Sequence, residues 1–98
     1  MSETYTVSVW STEGVDGEAF VDAFRSFAAA ATESGGAREG MILQDVSDPS
    51  RYFIIRRWDD PDAVQRWGER QADHAEGLIR LVPAGGEAHV TTKVADLA

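Results

Sequence analysis

The chain has 98 residues, a formal net charge of −8 at pH 7 and no cysteine. This length predicts one domain over residues 1–98, and the absence of thiols excludes disulfides, thiolate metal sites and cysteine nucleophiles. The acidic charge argues against nucleic acid and anionic membranes as partners, since both attract basic surfaces. With neither a leader pattern nor an apolar run long enough to span a membrane, we expect a soluble cytoplasmic protein.

The first predicted element is a strand over residues 4–10. Its apolar and polar side chains alternate, with Tyr5, Val7 and Val9 on one face and Trp10 on the other. Such alternation is typical of a strand with one apolar face. We expect Trp10, which lies near the first loop, to contact a partner subunit.

A helix is predicted over residues 17–32, with Asp16 as its N-cap. Apolar residues at helical spacing form a stripe for burial on a sheet: Phe20, Ala23, Phe24, Phe27 and Ala31. Ser34-Gly35-Gly36 ends the helix, because glycine adopts the left-handed conformation that a C-cap requires.

Two strands follow, over residues 38–46 and 51–58. The turn formers at 47–50 between them predict an antiparallel hairpin. Alternation in the later strand separates two sets of side chains: Tyr52, Ile54, Arg56 and Trp58 on one face, and Phe53, Ile55 and Arg57 on the other.

Asp60-Pro61 predicts the start of a second helix, because the carboxylate accepts from free backbone N–H groups and proline suits the first helical position. We expect this helix to break near Gly68 and to resume by Asp73. Its second apolar stripe consists of Ala75, Leu78, Ile79 and Val82. Residues 87–94 then form the last predicted strand.

The order β-α-β-β-α-β predicts an α+β domain of the ferredoxin-like class, an antiparallel sheet with both helices on one face. The other sheet face then carries bulky apolar groups that need a cover. A second copy related by a two-fold axis is the simplest cover. We therefore expect a homodimer that associates through the open sheet face.

The passage YFIIRRWDDPDAVQRW, followed by a short helix ending near LIRLVP, resembles the antibiotic biosynthesis monooxygenase superfamily of dimeric α/β barrels. Trp58, Asp59, Asp60 and Ala63 match its strand-ending tryptophan, acidic turn and amphipathic helix. The resemblance implies a pocket between the sheet and the helices. One branch of the family oxidises phenolic or anthrone-like polyketides to quinones with O₂, without flavin or metal, so we expect no cofactor and a small aromatic ligand.

The candidate site residues divide into two groups. The resemblance implies a catalytic role for Trp58 and, more loosely, for Arg80; His74 is a candidate proton relay, because imidazole titrates near working pH. The candidates for substrate binding are aromatic groups that can stack on a ring and an arginine that can attract an anion: Tyr52, Trp67, Phe24 and Arg56. No metal site is predicted, since the two histidines lie on separate elements.

Two alternatives stay open beside the monooxygenase. A second branch of the family degrades haem, and Trp67 suits its catalytic tryptophan. His74 follows Trp67 by fewer residues than the iron-binding histidine of that branch does, and this chain has no asparagine, which that branch uses on its first strand. These departures disfavour haem degradation, and haem binding through His74 stays an alternative. The other alternative is a non-catalytic dimeric small-molecule binder. It predicts that Phe24, Trp58 and Trp67 fill the pocket.

Overall fold

The computed structural model describes residues 3–98 and has the predicted element order. The elements are β1 (Thr4–Ser11), α1 (Gly17–Ser34), β2 (Ala37–Gln44), β3 (Arg51–Trp58), α2 (Pro61–Arg70), a 3₁₀ turn (Gln71–Asp73), α3 (Glu76–Leu81) and β4 (Glu87–Thr92). The four strands pair antiparallel in the order β2-β3-β1-β4. This arrangement confirms the predicted ferredoxin-like α+β class. Within residues 3–98, none of the helices has the length and hydropathy needed to cross a membrane.

The helix boundaries follow the local signals in the sequence. Asp16 accepts from the backbone N–H of Glu18, and α1 ends at Gly35, whose φ is 90°. Asp60 accepts from the backbone N–H of Ala63, with Pro61 in the first helical position. The predicted break in the second helical region is present but lies later than expected, because α2 continues through Gly68, changes to the 3₁₀ turn after Arg70, and is followed by α3 only from Glu76.

The helices cover one face of the sheet, and the core between them has two parts. The first contains Trp10, Phe20, Phe24, Tyr52, Ile54, Leu78 and Val82. The second contains Ala31, Ala37, Trp58, Ala63 and Trp67.

The expectation that Trp10 contacts a partner is wrong. Its side chain is 8% exposed and its ring centroid lies 5.7 Å from that of Phe20 and 5.6 Å from that of Phe24. Thr4 and Ser8 are buried on the same side of β1. The polar-rich side of this strand therefore faces the helices, and its apolar side faces outward.

The outward sheet face, which we call the open face, is apolar in its centre. Cross-strand pairing aligns Met41 with Ile55 and Val7, and aligns Leu43 with Phe53 and Val9. Met41 and Leu43 remain 55% and 42% exposed. The predicted apolar, uncovered sheet face is therefore present in the single chain.

Candidate functional site

A cleft of about 570 Å³ lies between α1 and the edge of the sheet formed by β2 and β3, and we call it the α1–β2 cleft. Its apolar wall includes Phe24, Ala28, Ile42 and Ile54. A smaller cleft of about 270 Å³ adjoins it and shares Val21, Arg25 and Tyr52 as lining residues. The two clefts thus form one groove along α1.

Arg56 forms the polar end of the α1–β2 cleft. Its Nε donates to the carbonyl of Arg38 at 2.5 Å, its Nη1 to the carbonyl of Ala28 at 3.2 Å, and its Nη2 to the hydroxyl of Thr32 at 2.5 Å. All three acceptors are neutral. Burial lowers the pKa of the Arg56 guanidinium from its ordinary value, because a charged group loses solvation in the protein.

A glycine on the neighbouring strand makes room for this arginine. The pairing of β2 with β3 is irregular between Ala37 and Gly40. A Cβ atom on Gly40 would lie 2.9 Å from Cδ of Arg56 and 2.5 Å from the carbonyl oxygen of Ile55. The side chain of Arg56 therefore lies directly against the β2 backbone, where it reaches the carbonyl of Arg38.

The lining of the cleft carries an excess of positive charge on an acidic protein. It contains three arginines, Arg25, Arg38 and Arg56, and one carboxylate, Glu39. Arg38 is paired with Asp59 at 2.6 Å, and Glu39 is paired with Arg57 at 2.6 Å. In the described part of the chain, no carboxylate lies within ion-pair distance of Arg25 or Arg56. Unneutralised cations beside an apolar wall favour an aromatic anion as ligand.

Three of the four predicted substrate-binding residues meet in this cleft. Phe24, Tyr52 and Arg56 all line it. The Tyr52 side chain is largely buried, and its hydroxyl accepts from Nε2 of Gln44 at 3.3 Å. The fourth residue, Trp67, lies in the second part of the core.

The predicted catalytic residues lie away from the cleft. Trp58 is 5% exposed and packs in the second part of the core. His74 is at the surface, with its ring stacked on Trp67 at a centroid distance of 5.6 Å. Arg80 is exposed and pairs with Glu76 at 2.6 Å. The structure does not bring these three residues to the groove along α1, and their catalytic roles stay predictions.

Trp67 and His74 are the two residues that suggested haem. A third cleft, of about 440 Å³, lies beside Trp10 and residues 84–87. His74 and Trp67 line none of the three clefts described here. In residues 3–98 no group of three or more His, Asp or Glu side chains could hold a metal ion. The haem alternative therefore has no support from these three clefts.

Sequence reasoning missed Arg25, Thr32 and Gly40. The sequence does contain a pattern that includes Arg25 and Thr32. Beside the apolar stripe of α1, a second set of residues recurs at helical spacing: Arg25, Ala28, Ala29 and Thr32. This pattern marks a second face of the same helix. Gly40 gave no such signal, because its role depends on the side chain of a neighbouring strand.

Comparisons with known proteins agree with this architecture. Residues 9–81 match the profile of the family described as antibiotic biosynthesis monooxygenase. SnoaB, a cofactor-independent oxygenase from Streptomyces nogalater, has a similar structure, with a TM-score of 0.72 and 22% identity over 100% of this chain and 97% of that chain. A putative antibiotic biosynthesis monooxygenase from Bordetella bronchiseptica has a TM-score of 0.73 and 16% identity over 97% of this chain and 100% of that chain.

A dimeric ferredoxin-like protein from an uncultured marine organism is also similar, with a TM-score of 0.68 and 8% identity over 100% of this chain and 93% of that chain. No curated protein sequence matches significantly. At these identities the solved structures support the fold, and the profile match supplies the family.

Proposed function

Because this chain belongs to the antibiotic biosynthesis monooxygenase family, we propose that it oxidises a small phenolic or anthrone-like aromatic with O₂ to a quinone, without a cofactor. The observation that carries the proposal is Arg56, a half-buried cation with neutral partners, beside Phe24 and Tyr52 in the α1–β2 cleft. The cofactor-independent chemistry of SnoaB supports the same class of reaction.

The cleft suits an aromatic substrate in size and lining. Its volume of about 570 Å³ falls within the range of small-molecule sites. Ile42 and Ile54 offer an apolar surface, and Phe24 and Tyr52 offer ring edges and faces for contact with the substrate. The substrate ring would lie along α1 with its oxygen substituent toward Arg56.

Arg56 would stabilise the anionic form of the substrate. A cation in a partly desolvated site lowers the pKa of a nearby phenol, because it favours the charged form. The released proton would leave through the open side of the cleft. The resulting anion is electron-rich at the ring carbon that reacts, so the substrate itself supplies the electrons.

The reaction balances without a further reductant. The carbanionic carbon forms a bond to one oxygen atom of O₂, and protonation gives a hydroperoxide. The O–O bond then breaks as this carbon loses its remaining hydrogen as a proton, which leaves a carbonyl group and one molecule of water. The CH₂ carbon of an anthrone loses four electrons, and O₂ accepts four.

We keep catalytic roles for Trp58, His74 and Arg80 as part of the hypothesis. Since none of them lines the cleft, a contribution from Trp58 would act through the packing of the core. His74 and Arg80 are exposed and would need to act on a substrate that extends beyond the groove. Arg56 is the residue we place in contact with the reacting anion.

We also propose that the protein is a homodimer joined through the open face. Val7, Met41 and Ile55 form the centre of an apolar surface, which a partner would remove from water. The Arg57–Glu39 pair borders this surface at one end. The dimeric state of the ferredoxin-like neighbour supports association of this kind.

Oxygen uptake under metal-free conditions tests the proposed reaction. A panel of anthrones and hydroquinones would be compared for the wild type, Arg56→Gln and Arg70→Gln, since Arg70 is exposed on α2 and does not line the cleft. Losing one charged donor to a developing oxyanion costs about a hundredfold in rate, so we expect a loss of this order for Arg56→Gln and less than about twofold for the exposed control. Arg56→Lys, which keeps the charge, should retain more activity than Arg56→Gln.

Absence of turnover by the wild type across the panel would contradict the proposal. Equal rates for Arg56→Gln and Arg70→Gln, with both proteins folded by circular dichroism, would remove Arg56 from the reaction.

A further inference from the structure

The hydroxyl of Thr32 makes two hydrogen bonds that fix its orientation. It donates to the carbonyl of Ala28 at 3.2 Å and accepts from Nη2 of Arg56 at 2.5 Å. A hydroxyl has one proton, and here that proton points along the helix. The oxygen lone pairs are therefore directed at the arginine. The same Ala28 carbonyl accepts from Nη1 of Arg56, so the three groups hold one another in place.

The neighbouring arginines are held by carboxylates. Arg57 donates to Glu39, with bonds of 2.6 and 3.0 Å. Arg38 donates to Asp59, also with bonds of 2.6 and 3.0 Å. Each of these pairs is electrically neutral as a unit and attracts a third charge only weakly. Arg56 is held by three hydrogen bonds to neutral acceptors, so its full charge remains available to a ligand.

We propose that Thr32 is a specificity-determining residue, which keeps the α1–β2 cleft selective for aromatic anions by giving Arg56 a neutral acceptor in place of a carboxylate. The inference rests on the proposed function, whose reactive species is an aromatic anion, and adds the residue that sets the charge preference of the cleft. Thr32 and Arg56 both line this cleft. The hydroxyl is thus a positioning group for the cation.

A second cation on the same helix face strengthens the preference. Arg25 precedes Thr32 by two helical turns, about 10 Å along the axis, and lines both parts of the groove. It raises the positive potential along the path of an entering anion. Its contribution does not depend on Thr32, so the variants described next isolate Arg56.

Ligand binding tests the inference independently of turnover. The probes are anilinonaphthalene sulfonate, an aromatic anion, and phenylnaphthylamine, its uncharged counterpart, both followed by fluorescence titration. The variants are Thr32→Glu, which supplies a carboxylate to Arg56, and Thr32→Gln, which has the same size without the charge. Thr32→Ser keeps the hydroxyl and serves as the conservative control.

We expect Thr32→Glu to weaken binding of the anionic probe about tenfold. The introduced carboxylate would accept a charge-assisted hydrogen bond from Arg56 that the probe would otherwise accept. Binding of the uncharged probe should change less than about twofold. Thr32→Ser should behave as the wild type, and Thr32→Gln should retain the preference for the anion. In the Arg56→Gln background, Thr32→Gln should not change binding of the anionic probe further, because the group at position 32 then has no cation to position.

Equal effects of Thr32→Glu and Thr32→Gln, or equal weakening of both probes, would overturn the inference. A further loss of anion binding for Thr32→Gln in the Arg56→Gln background would also overturn it. A wild type that binds the anion in this Thr32-dependent manner but consumes no oxygen would overturn the proposed reaction and support the charge preference. The two proposals therefore fail separately.

Discussion

Nε1 of Trp58, at the end of β3, donates a hydrogen bond to the hydroxyl of Thr6 on β1, 2.9 Å away. The bond satisfies the one polar atom of a side chain that is 5% exposed. A buried indole is therefore held by a residue fifty-two positions earlier in the chain. This contact explains how a large aromatic residue is fixed at the junction of strand and helix.

Thr6→Val should destabilise the protein by about 1–3 kcal/mol, because the buried indole N–H loses its acceptor. Thr6→Ser keeps the hydroxyl and should cost less. Urea unfolding at pH 7 measures both. A valine variant as stable as the wild type would show that solvent satisfies the indole.

Trp58→Phe separates the structural role of this residue from its predicted catalytic role. The variant should lose stability, since the packing of the second part of the core changes. If Trp58 acts only through packing, oxygen uptake per folded molecule should fall less than about tenfold, well below the loss expected for Arg56→Gln. A larger loss in a folded variant would support the catalytic role.

Gly36→Ala should destabilise the protein and Gly68→Ala should stabilise it. Gly36 has a φ of 92°, and an added Cβ would lie 2.5 Å from Cβ of Ala63, so the strain alone costs about 1–3 kcal/mol. Gly68 lies inside α2 with no atom within 4 Å of an added Cβ, where alanine is favoured by about 1 kcal/mol. Thermal unfolding of the two variants should give shifts of opposite sign.

Acid should weaken the contribution of the Glu39–Arg57 pair. The hydrogen bond from Arg57 lowers the pKa of Glu39 from 4.5 to about 2. A carboxyl group with a lowered folded-state pKa stabilises the fold above its unfolded pKa, and this stabilisation is lost as the pH falls from about 4.5 to about 2. The difference in Tm between the wild type and Glu39→Gln should be present at pH 7 and disappear near pH 2.

An NMR titration of the Glu39 carboxyl carbon provides the direct check. A midpoint near 4.5 in the folded protein would show that Arg57 does not hold this carboxylate in solution.

Val7→Glu should dissociate the proposed dimer. Val7 lies at the centre of the open face, between Ile55 and β4, and burying a carboxylate there without a partner is unfavourable. Val46→Glu is the matched control, because Val46 is fully exposed in the loop after β2. Sedimentation should give about twice the 10.7 kDa chain mass for the wild type and the control, and the single mass for Val7→Glu. A wild type that sediments as a monomer would contradict the dimer.

The candidate site could be predicted only in part. Arg56 and Tyr52 were assigned correctly to the same face of β3, because strand alternation is a local property. Trp10 was placed on the wrong side of the protein, since the more polar face of β1 turns toward the helices and alternation by itself does not tell which face is buried. The acceptors of Arg56 come from α1 and β2, and no local pattern relates them.

The sequence alone determined the order of the elements and their ends, because caps, turns and apolar periodicity act over a few neighbouring residues. Asp16, Gly35 and Asp60-Pro61 mark helix boundaries that the structure confirms. Only the tertiary structure decided which charges share a cleft. Thr32 and Arg56 meet across 24 positions of the chain, and their contact depends on the docking of α1 against the sheet and on the irregular pairing at Gly40.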